Sequence, residues 1–191
     1  LYGRKSEVKK LVQTLDDVGQ ETAQVVLVSG PPGVGKTFLV QRLRRQMLMR
    51  GGYFVTGKWG ELERPTPYSG VFESFRDLVR QLLTVEAEHL AEYRRQVADA
   101  LGPNLGALVE VVPEIRVITG EPPPLPAVGP AEARNRLHRC MKQFVRIFSE
   151  SQPVVVFLDD LQWADPSSLE FIKATIITGK KGRNVLLIGT C

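Results

Sequence analysis

Cysteine and histidine are scarce in this sequence of 191 residues, which contains two of each. Cys140 and Cys191 have no neighbouring cysteine, and His89 and His138 are equally isolated. No spacing typical of a zinc site or of a disulfide framework is therefore present. Such low cysteine usage favours a reducing compartment, and we expect a cytoplasmic protein.

The sequence also lacks a long apolar run and a marked excess of either charge. No run approaches the roughly 18 to 20 residues that cross a bilayer, so we expect no membrane span. The 25 basic and 21 acidic side chains give a net charge of +4, too little to indicate a nucleic-acid or acidic-lipid partner. The chain opens with LYGRKSEVKK, which has neither an initial methionine nor the apolar core of a signal peptide. We therefore expect an excerpt of a longer protein, without a secretory leader.

Apolar residues make up 43% of the chain, enough for a buried core, and their spacing alternates between the strand and helix periods. Strands are expected at 25–29, 53–56, 154–158 and 185–189. Helices are expected at 4–18, 36–50, 71–82, 85–101, 105–112, 130–150 and from Asp165 onward, with Gly19-Gln20 and the KKGRN segment at 180–184 ending the first and last of them. Five prolines should keep 119–130 extended. This alternation predicts an α/β fold with a mostly parallel, doubly wound sheet and ligands at its carboxyl edge.

The segment from Gly30 to Thr37 reads GPPGVGKT and matches the P-loop pattern, between a predicted strand and a predicted helix. Glycines allow backbone N–H groups to wrap closely around a phosphate, and the helix N-terminus adds a positive partial charge. Lys36 should contact the β and γ phosphates of ATP, and the Thr37 hydroxyl should bind Mg²⁺. The expected nucleotide-binding residues are Gly30, Pro31, Pro32, Gly33, Val34, Gly35, Lys36, Thr37 and Phe38.

A second motif ends the apolar strand 154–158 with two adjacent carboxylates, Asp159 and Asp160. Adjacent acids repel each other unless a cation is near, so the pair favours a metal site. We expect Asp159 to hold Mg²⁺ opposite Thr37, and Asp160 to orient or deprotonate the attacking water. Lys36 and Asp160 are thus the expected catalytic residues. Trp163, just beyond, is expected to pack against other side chains, with contact to a ligand as the alternative.

Several segments resemble AAA-type P-loop ATPases, and specifically the signal-transduction ATPases with numerous domains. They are Leu1-Tyr-Gly-Arg4 with Glu7, the GPPGVGKT loop, Tyr68-Ser-Gly-Val-Phe, LDDLQWADPSSLE from Leu158 to Glu170, and Leu186-Leu-Ile-Gly-Thr190, which resembles the start of a sensor strand. The resemblance covers nearly the entire chain. It implies one ATPase core over residues 1–191, with a helical and proline-rich insertion at about 85–130.

The same resemblance implies a P-loop NTPase three-layer sandwich with strand order 5-1-4-3-2. Strand 185–189 would then lie between the P-loop strand and the Asp159 strand. The fifth strand, the helical lid and a sensor arginine are expected after Cys191, which leaves one edge of the P-loop strand unpaired. Arg4 resembles the family's entry motif near the adenine, with a solvated surface arginine as the alternative.

The function implied is a slow, Mg²⁺-dependent ATPase that acts as a nucleotide-gated switch. Similar modules adjoin kinase, cyclase or transcription-factor domains of the same polypeptide, and AAA-type sites often lie at subunit interfaces, so self-association is also implied. Three alternatives stay open. One is a replication-initiator-like ATPase, which would bind DNA through further domains. The others are a small-molecule kinase that transfers the γ-phosphate, and a scaffold that binds ATP without hydrolysing it.

Overall fold

A computed structural model describes residues 4–18, 24–61, 66–177 and 184–191. Its strands form one sheet in which all neighbours run parallel. They are β1 (Gln24–Val28), β2 (Tyr53–Lys58), β3 (Val154–Asp159) and β4 (Val185–Thr190). The order across the sheet is β1-β4-β3-β2, so the last strand lies between the glycine-loop strand and the Asp159 strand as the resemblance implied. The fold class, an α/β sandwich like that of P-loop NTPases, is confirmed.

The helices account for most of the remaining described residues. The α-helices are α1 (Lys5–Asp16), α2 (Lys36–Met49), α3 (Ser69–Leu82), α4 (Ala87–Leu101), α5 (Leu105–Val109), α6 (Arg116–Thr119), α7 (Pro130–Ser151) and α8 (Pro166–Ile172). Short 3₁₀ turns occupy Gly102–Asn104, Pro113–Ile115 and Leu161–Trp163. A π-helical turn, Lys173–Ile177, continues α8. In the part of the chain that the structure describes, no helix is long and apolar enough to span a membrane.

Two local predictions were wrong in detail. The helix that begins at Leu105 ends at Val109 instead of Val112, because the N–H of Val111 donates to the carbonyl of Leu108, three positions back instead of four. Val112, which precedes Pro113, then leaves the helical region, with φ −132° and ψ 76°. Residues Arg116–Thr119 are helical, so the extended proline-rich segment begins at Gly120. The expected helix ends at Gly19-Gln20 and at 180–183 lie outside the described residues.

The chain divides into two compact units, one of Leu1–Ser74 with Ser149–Cys191 and one of Phe75–Phe148. The first unit contains the sheet with α1, α2 and α8. In the second unit, the proline-rich segment lies on the helices beside it. The side chain of Leu125 covers Gly106, and the buried guanidinium of Arg136 donates a 3.1 Å hydrogen bond to the carbonyl of Pro126.

One face of the sheet packs against α1 and α2. The apolar residues of α2 recur every three or four positions, as an amphipathic helix requires, and the strands contribute every second residue. The buried cluster joins Leu11, Leu15, Leu39, Val40, Leu43, Met47, Phe54, Val155, Phe157, Leu186 and Ile188. This packing holds α2, and with it the end of the glycine loop, against the sheet.

The opposite face of the sheet is covered at β3 and β4 but open at β1. Val154, Leu158 and Leu187 are at most 5% exposed. Val25, opposite Leu187 in the parallel register, is 40% exposed, and Leu27 is 65% exposed. Among the described residues, β1 pairs only with β4, so its outer edge carries no strand, as expected for the P-loop strand.

The end of β2 lies very close to the first turn of α3. A Cβ on Gly57 would lie 1.9 Å from the carbonyl oxygen of Gly70, so only glycine fits there. The same turn is tied to α8, because Asp165, the N-cap of that helix, accepts hydrogen bonds from the backbone N–H groups of Ser168 and Tyr68 at 2.9 and 3.2 Å. Two of the resembling segments, at Tyr68 and at Asp165, therefore meet beside the carboxyl edge of the sheet.

Candidate functional site

The glycine loop runs from Gly30, after β1, to Gly35, the N-cap of α2. Gly33 and Gly35 have φ angles of +77° and +88°, in the left-handed region that side chains with a Cβ rarely adopt. A Cβ on Gly33 would touch no other atom within 4 Å, so the backbone angle alone calls for glycine at this position. The loop therefore has the conformation that brings successive N–H groups and a helix N-terminus to one concave surface.

Lys36 is the first residue of α2, and its ammonium group closes back over the loop. It donates hydrogen bonds to the carbonyl oxygens of Gly30 at 2.7 Å and of Pro31 at 3.2 Å. These contacts hold the positive charge at the loop, where a phosphate oxygen could replace a carbonyl as acceptor. A phosphate oxygen carries negative charge, so it attracts the ammonium more strongly than a neutral carbonyl oxygen does.

Thr37 and Asp159 meet although the sequence separates them by 122 positions, since the Thr37 hydroxyl donates a 2.9 Å hydrogen bond to Oδ2 of Asp159. Asp159 is 7% exposed, and its other oxygen accepts a hydrogen bond from the hydroxyl of Thr190, at the end of β4. A hydroxyl and a carboxylate are hard oxygen donors of the kind that Mg²⁺ prefers. These two residues therefore fit the ion.

The protein supplies few further ligands for such an ion. Within the described ranges, no group of three or more histidine, cysteine, aspartate or glutamate side chains is arranged to hold a metal. A magnesium ion at Thr37 and Asp159 would need water and phosphate oxygens to complete its six ligands. That is the usual arrangement where Mg²⁺ enters a site with a nucleotide.

Asp160 has a left-handed backbone, with φ +60°, and its carboxylate is held by two neighbours. The ammonium of Lys58, at the end of β2, lies 3.3 Å from Oδ2. The amide of Gln162 donates a 3.1 Å hydrogen bond to Oδ1. The backbone N–H of Asp160 in turn donates to the Thr190 hydroxyl at 3.0 Å, so Thr190 connects both aspartates. The arrangement fixes the direction in which the Asp160 carboxylate points.

These groups surround a cavity of about 680 Å³. Seven of the predicted site residues of the loop and both aspartates line it: Gly30, Pro32, Gly33, Gly35, Lys36, Thr37, Phe38, Asp159 and Asp160. Pro31 and Val34 belong to the loop but not to the cavity wall. Arg4 lines a different cavity, of about 230 Å³, together with Lys5, Val8 and Arg42. The guanidinium of Arg42 lies 5.1 Å above the ring of Phe38.

Sequence reasoning did not assign roles to Lys58, Glu61 and Thr190, although the structure brings all three to this site. Glu61 lines the cavity, as do Gln162, Trp163 and Cys191. Trp163 is 45% exposed and lines the cavity, so packing and contact with a ligand both stay open for it. The 3₁₀ turn at Leu161–Trp163 leaves its ring outside the sheet. The parallel register of β2 and β3 would have identified Lys58 as a site residue, because it places Lys58 directly opposite Asp159.

Comparison with known proteins adds a family and several relatives. A family model described as an AAA ATPase domain matches residues 1–188. Hybrid signal transduction histidine kinase G of Dictyostelium discoideum is 33% identical over 174 residues, which are 91% of this chain but 5% of that protein. The peroxide stress-activated histidine kinase mak2 of Schizosaccharomyces pombe is 27% identical over 78% of this chain and 7% of its own length.

A third similarity covers a smaller part of the chain. The Holliday junction branch migration complex subunit RuvB of Salinibacter ruber is 34% identical over 95 residues, 44% of this chain and 27% of that protein. The chain thus spans a small fraction of each of these relatives.

Proposed function

The chain belongs to the AAA ATPase domain family, and on this premise we propose that it binds ATP with Mg²⁺, hydrolyses it slowly and acts as a nucleotide-dependent switch in a larger signalling protein. The observation that carries the proposal is the hydrogen bond between Thr37 and Asp159 beside the Lys36 ammonium. It joins the two motifs that a Mg²⁺-nucleotide site requires.

The triphosphate would lie along the loop from Gly33 to Thr37. Gly33 and Gly35 support this, because both line the cavity and have the left-handed backbone angles that are typical of anion-binding loops of backbone N–H groups. Lys36 would exchange its two carbonyl contacts for the β and γ phosphate oxygens. Arg4 as an adenine contact remains a proposal from the family resemblance, and its place in the neighbouring cavity with Arg42 is the feature to test.

Thr37 and Asp159 would hold the magnesium ion, which would neutralise charge on the phosphates during hydrolysis. Asp160 would orient the attacking water. Its contacts with Lys58 and Gln162 support that role, because they keep the carboxylate in one orientation. An aspartate reaches one methylene less far than a glutamate, and we expect slow turnover for that reason.

The switch role rests on the relatives. Two are histidine kinases, and this chain matches 5% and 7% of their respective lengths. Binding and hydrolysis of ATP would change the contacts of this module with neighbouring domains of the same polypeptide, such as a kinase, cyclase or transcription-factor output. We further propose a cytoplasmic location and self-association through the nucleotide site.

A DNA-associated ATPase is the second candidate. The similarity to a subunit of a Holliday junction branch migration complex favours it. Duplex binding would weaken with salt, with a slope of about −0.9 for each phosphate neutralised. The measurement is made on the whole protein that contains this module, because the candidate binds DNA through further domains; no affinity for duplex, or affinity that does not depend on salt, would then exclude it.

The test of hydrolysis compares Asp160→Asn with the unchanged chain. We expect the variant to keep ATP affinity within about twofold and to lose phosphate release by about 10²-fold or more, since it removes the group that orients water. Asp99→Asn, an exposed acid of α4, is the matched control and should release phosphate at the unchanged rate. Equal rates for Asp160→Asn and the unchanged chain would contradict the role of Asp160.

A further inference from the structure

Glu61 is a carboxylate at the candidate site that belongs to neither motif. It follows β2 by three positions, and the register of β2 with β3 places Lys58 opposite Asp159. Glu61 therefore leaves the sheet beside the end of β3. It lines the same cavity as Lys36, Thr37 and Asp160.

Asp160 and Glu61 both line the cavity, and they differ in how firmly their carboxylates are held. Asp160 already has a donor at each oxygen, the Lys58 ammonium at 3.3 Å and the Gln162 amide at 3.1 Å. It can accept a further hydrogen bond but cannot turn without breaking one of these contacts. Its backbone N–H is also bonded to Thr190. Asp160 is thus suited to hold a water molecule in place.

Glu61, by contrast, is exposed and has no hydrogen bond or ion pair with any residue that the structure describes. Its side chain is one methylene longer than that of aspartate. A longer carboxylate at the cavity wall, with no partner among the described residues, can change its position as it accepts the proton of a reacting water.

We propose that Glu61 accepts the proton of the attacking water, while Asp160 orients that water; the inference rests on the proposed ATP hydrolysis. The water oxygen forms a bond to the γ-phosphorus, and the bond from that phosphorus to the bridging oxygen breaks. The bridging oxygen keeps the electron pair and leaves on ADP. Glu61 takes the water proton and later returns it to solvent or to the phosphate product.

Metal binding is a less suitable role for Glu61. Thr37 and Asp159 already contact each other at 2.9 Å. The described residues include no cluster of three acids arranged around a single ion. If Glu61 were a metal ligand, its replacement would change the dependence of nucleotide binding on Mg²⁺. Replacing a proton acceptor would not, so this measurement distinguishes the two roles.

The experiment compares Glu61→Gln, Glu61→Asp and Asp160→Asn, with Glu88→Gln of α4 as an exposed control. Phosphate release, Mg²⁺-ATP affinity and affinity for ADP with aluminium fluoride are measured on each. The last complex holds a phosphoryl mimic in place beside the attacking oxygen, so it reports on that geometry without turnover.

For Glu61→Gln we expect phosphate release to fall by about 10² to 10⁴-fold, ATP affinity to stay within about twofold, and aluminium fluoride affinity to fall by about tenfold or more. Glu61→Asp keeps the charge but shortens the reach, and should give a smaller loss of phosphate release. Glu88→Gln should change nothing.

Three results would overturn the inference. If Glu61→Gln released phosphate at the unchanged rate while Asp160→Asn did not, Glu61 would be a solvated surface residue and the proposed ATPase would stand. If Glu61→Gln lost Mg²⁺-ATP affinity, Glu61 would act in binding instead. If the unchanged chain neither bound nor hydrolysed ATP, the proposed function would fail together with the inference.

Discussion

The Thr37 hydroxyl donates a 2.9 Å hydrogen bond to the carboxylate of Asp159, and this contact joins the glycine loop to the strand two places away in the sheet. The contact depends on β4 lying between β1 and β3. It places a hydroxyl and a buried carboxylate at one point, where a divalent ion can use both.

Removing the Thr37 hydroxyl should weaken the effect of Mg²⁺ on nucleotide binding. In Thr37→Ala, the ion loses one hard oxygen ligand, and we expect the stimulation of ATP affinity by Mg²⁺ to fall about tenfold or more. Calorimetric titration with and without Mg²⁺ measures this. Thr14→Ala, which removes an exposed hydroxyl bonded to a helix carbonyl, is the control. Equal stimulation in Thr37→Ala and the unchanged chain would contradict the metal assignment.

Lys58 should matter for turnover more than for stability. Its ammonium is 61% exposed and the Asp160 side chain 30%, and ion pairs this open contribute about 0 to 1 kcal/mol to folding. We expect Lys58→Met to leave the urea midpoint nearly unchanged and to lower phosphate release about tenfold, because Asp160 is no longer held. Arg95→Met breaks the exposed pair with Glu92 and serves as control. A Lys58→Met chain that turns over normally would argue against the positioning of Asp160.

The close approach of β2 and α3 should make Gly57 intolerant of any side chain. In Gly57→Ala the new Cβ would lie 1.9 Å from the Gly70 carbonyl oxygen, so strand and helix must separate. We expect a loss of about 1 to 3 kcal/mol or more in the free energy of unfolding. Gly129→Ala, where a Cβ would meet nothing within 4 Å, should lose less, about 1 kcal/mol at most, because alanine is only unfavourable there as the residue that precedes α7. Matching denaturation curves for the two variants would show that the contact is not as tight as described.

The two cysteines should differ in reactivity, and nucleotide should protect one of them. Cys191 is exposed and lines the cavity, whereas Cys140 is 3% exposed and burial raises the pKa of its thiol. Less thiolate and less access both slow alkylation of Cys140. Mass spectrometry after iodoacetamide should find Cys191 modified first, and Mg²⁺-ATP should slow that reaction. Protection that persists in Lys36→Ala would show that nucleotide does not act through the loop.

The contiguous parts of the fold and the site could be predicted from the sequence. The glycine loop, the Asp159-Asp160 pair and their strands each lie within a few residues, so local spacing identifies them. The strand order came from the family resemblance rather than from periodicity. The helix end at Val109 was missed because no residue type marks it: the change at Val111 to a hydrogen bond with the carbonyl three positions back carries no local sequence signal.

The remaining site residues depend on tertiary contacts that no local pattern carries. Lys58, Glu61 and Thr190 are single polar residues at or just after strand ends. Most polar residues at such positions are solvated, so their residue type alone indicates no function. Only the order β1-β4-β3-β2 brings them beside Asp159 and Asp160. With the parallel register known, any polar residue at the end of β2 or β4 becomes a candidate for this site.

The most direct measurement of the central claim is the affinity of the purified chain for Mg²⁺-ATP, compared between Lys36→Ala and Lys9→Ala. Lys9 is an exposed lysine of α1, so its loss removes the same charge away from the loop. If Lys36 binds phosphate, its removal costs about 1.4 to 2.8 kcal/mol, which is roughly a 10 to 100-fold loss of affinity, whereas Lys9→Ala binds as the unchanged chain does. Equal affinity in the two variants would contradict the phosphate site.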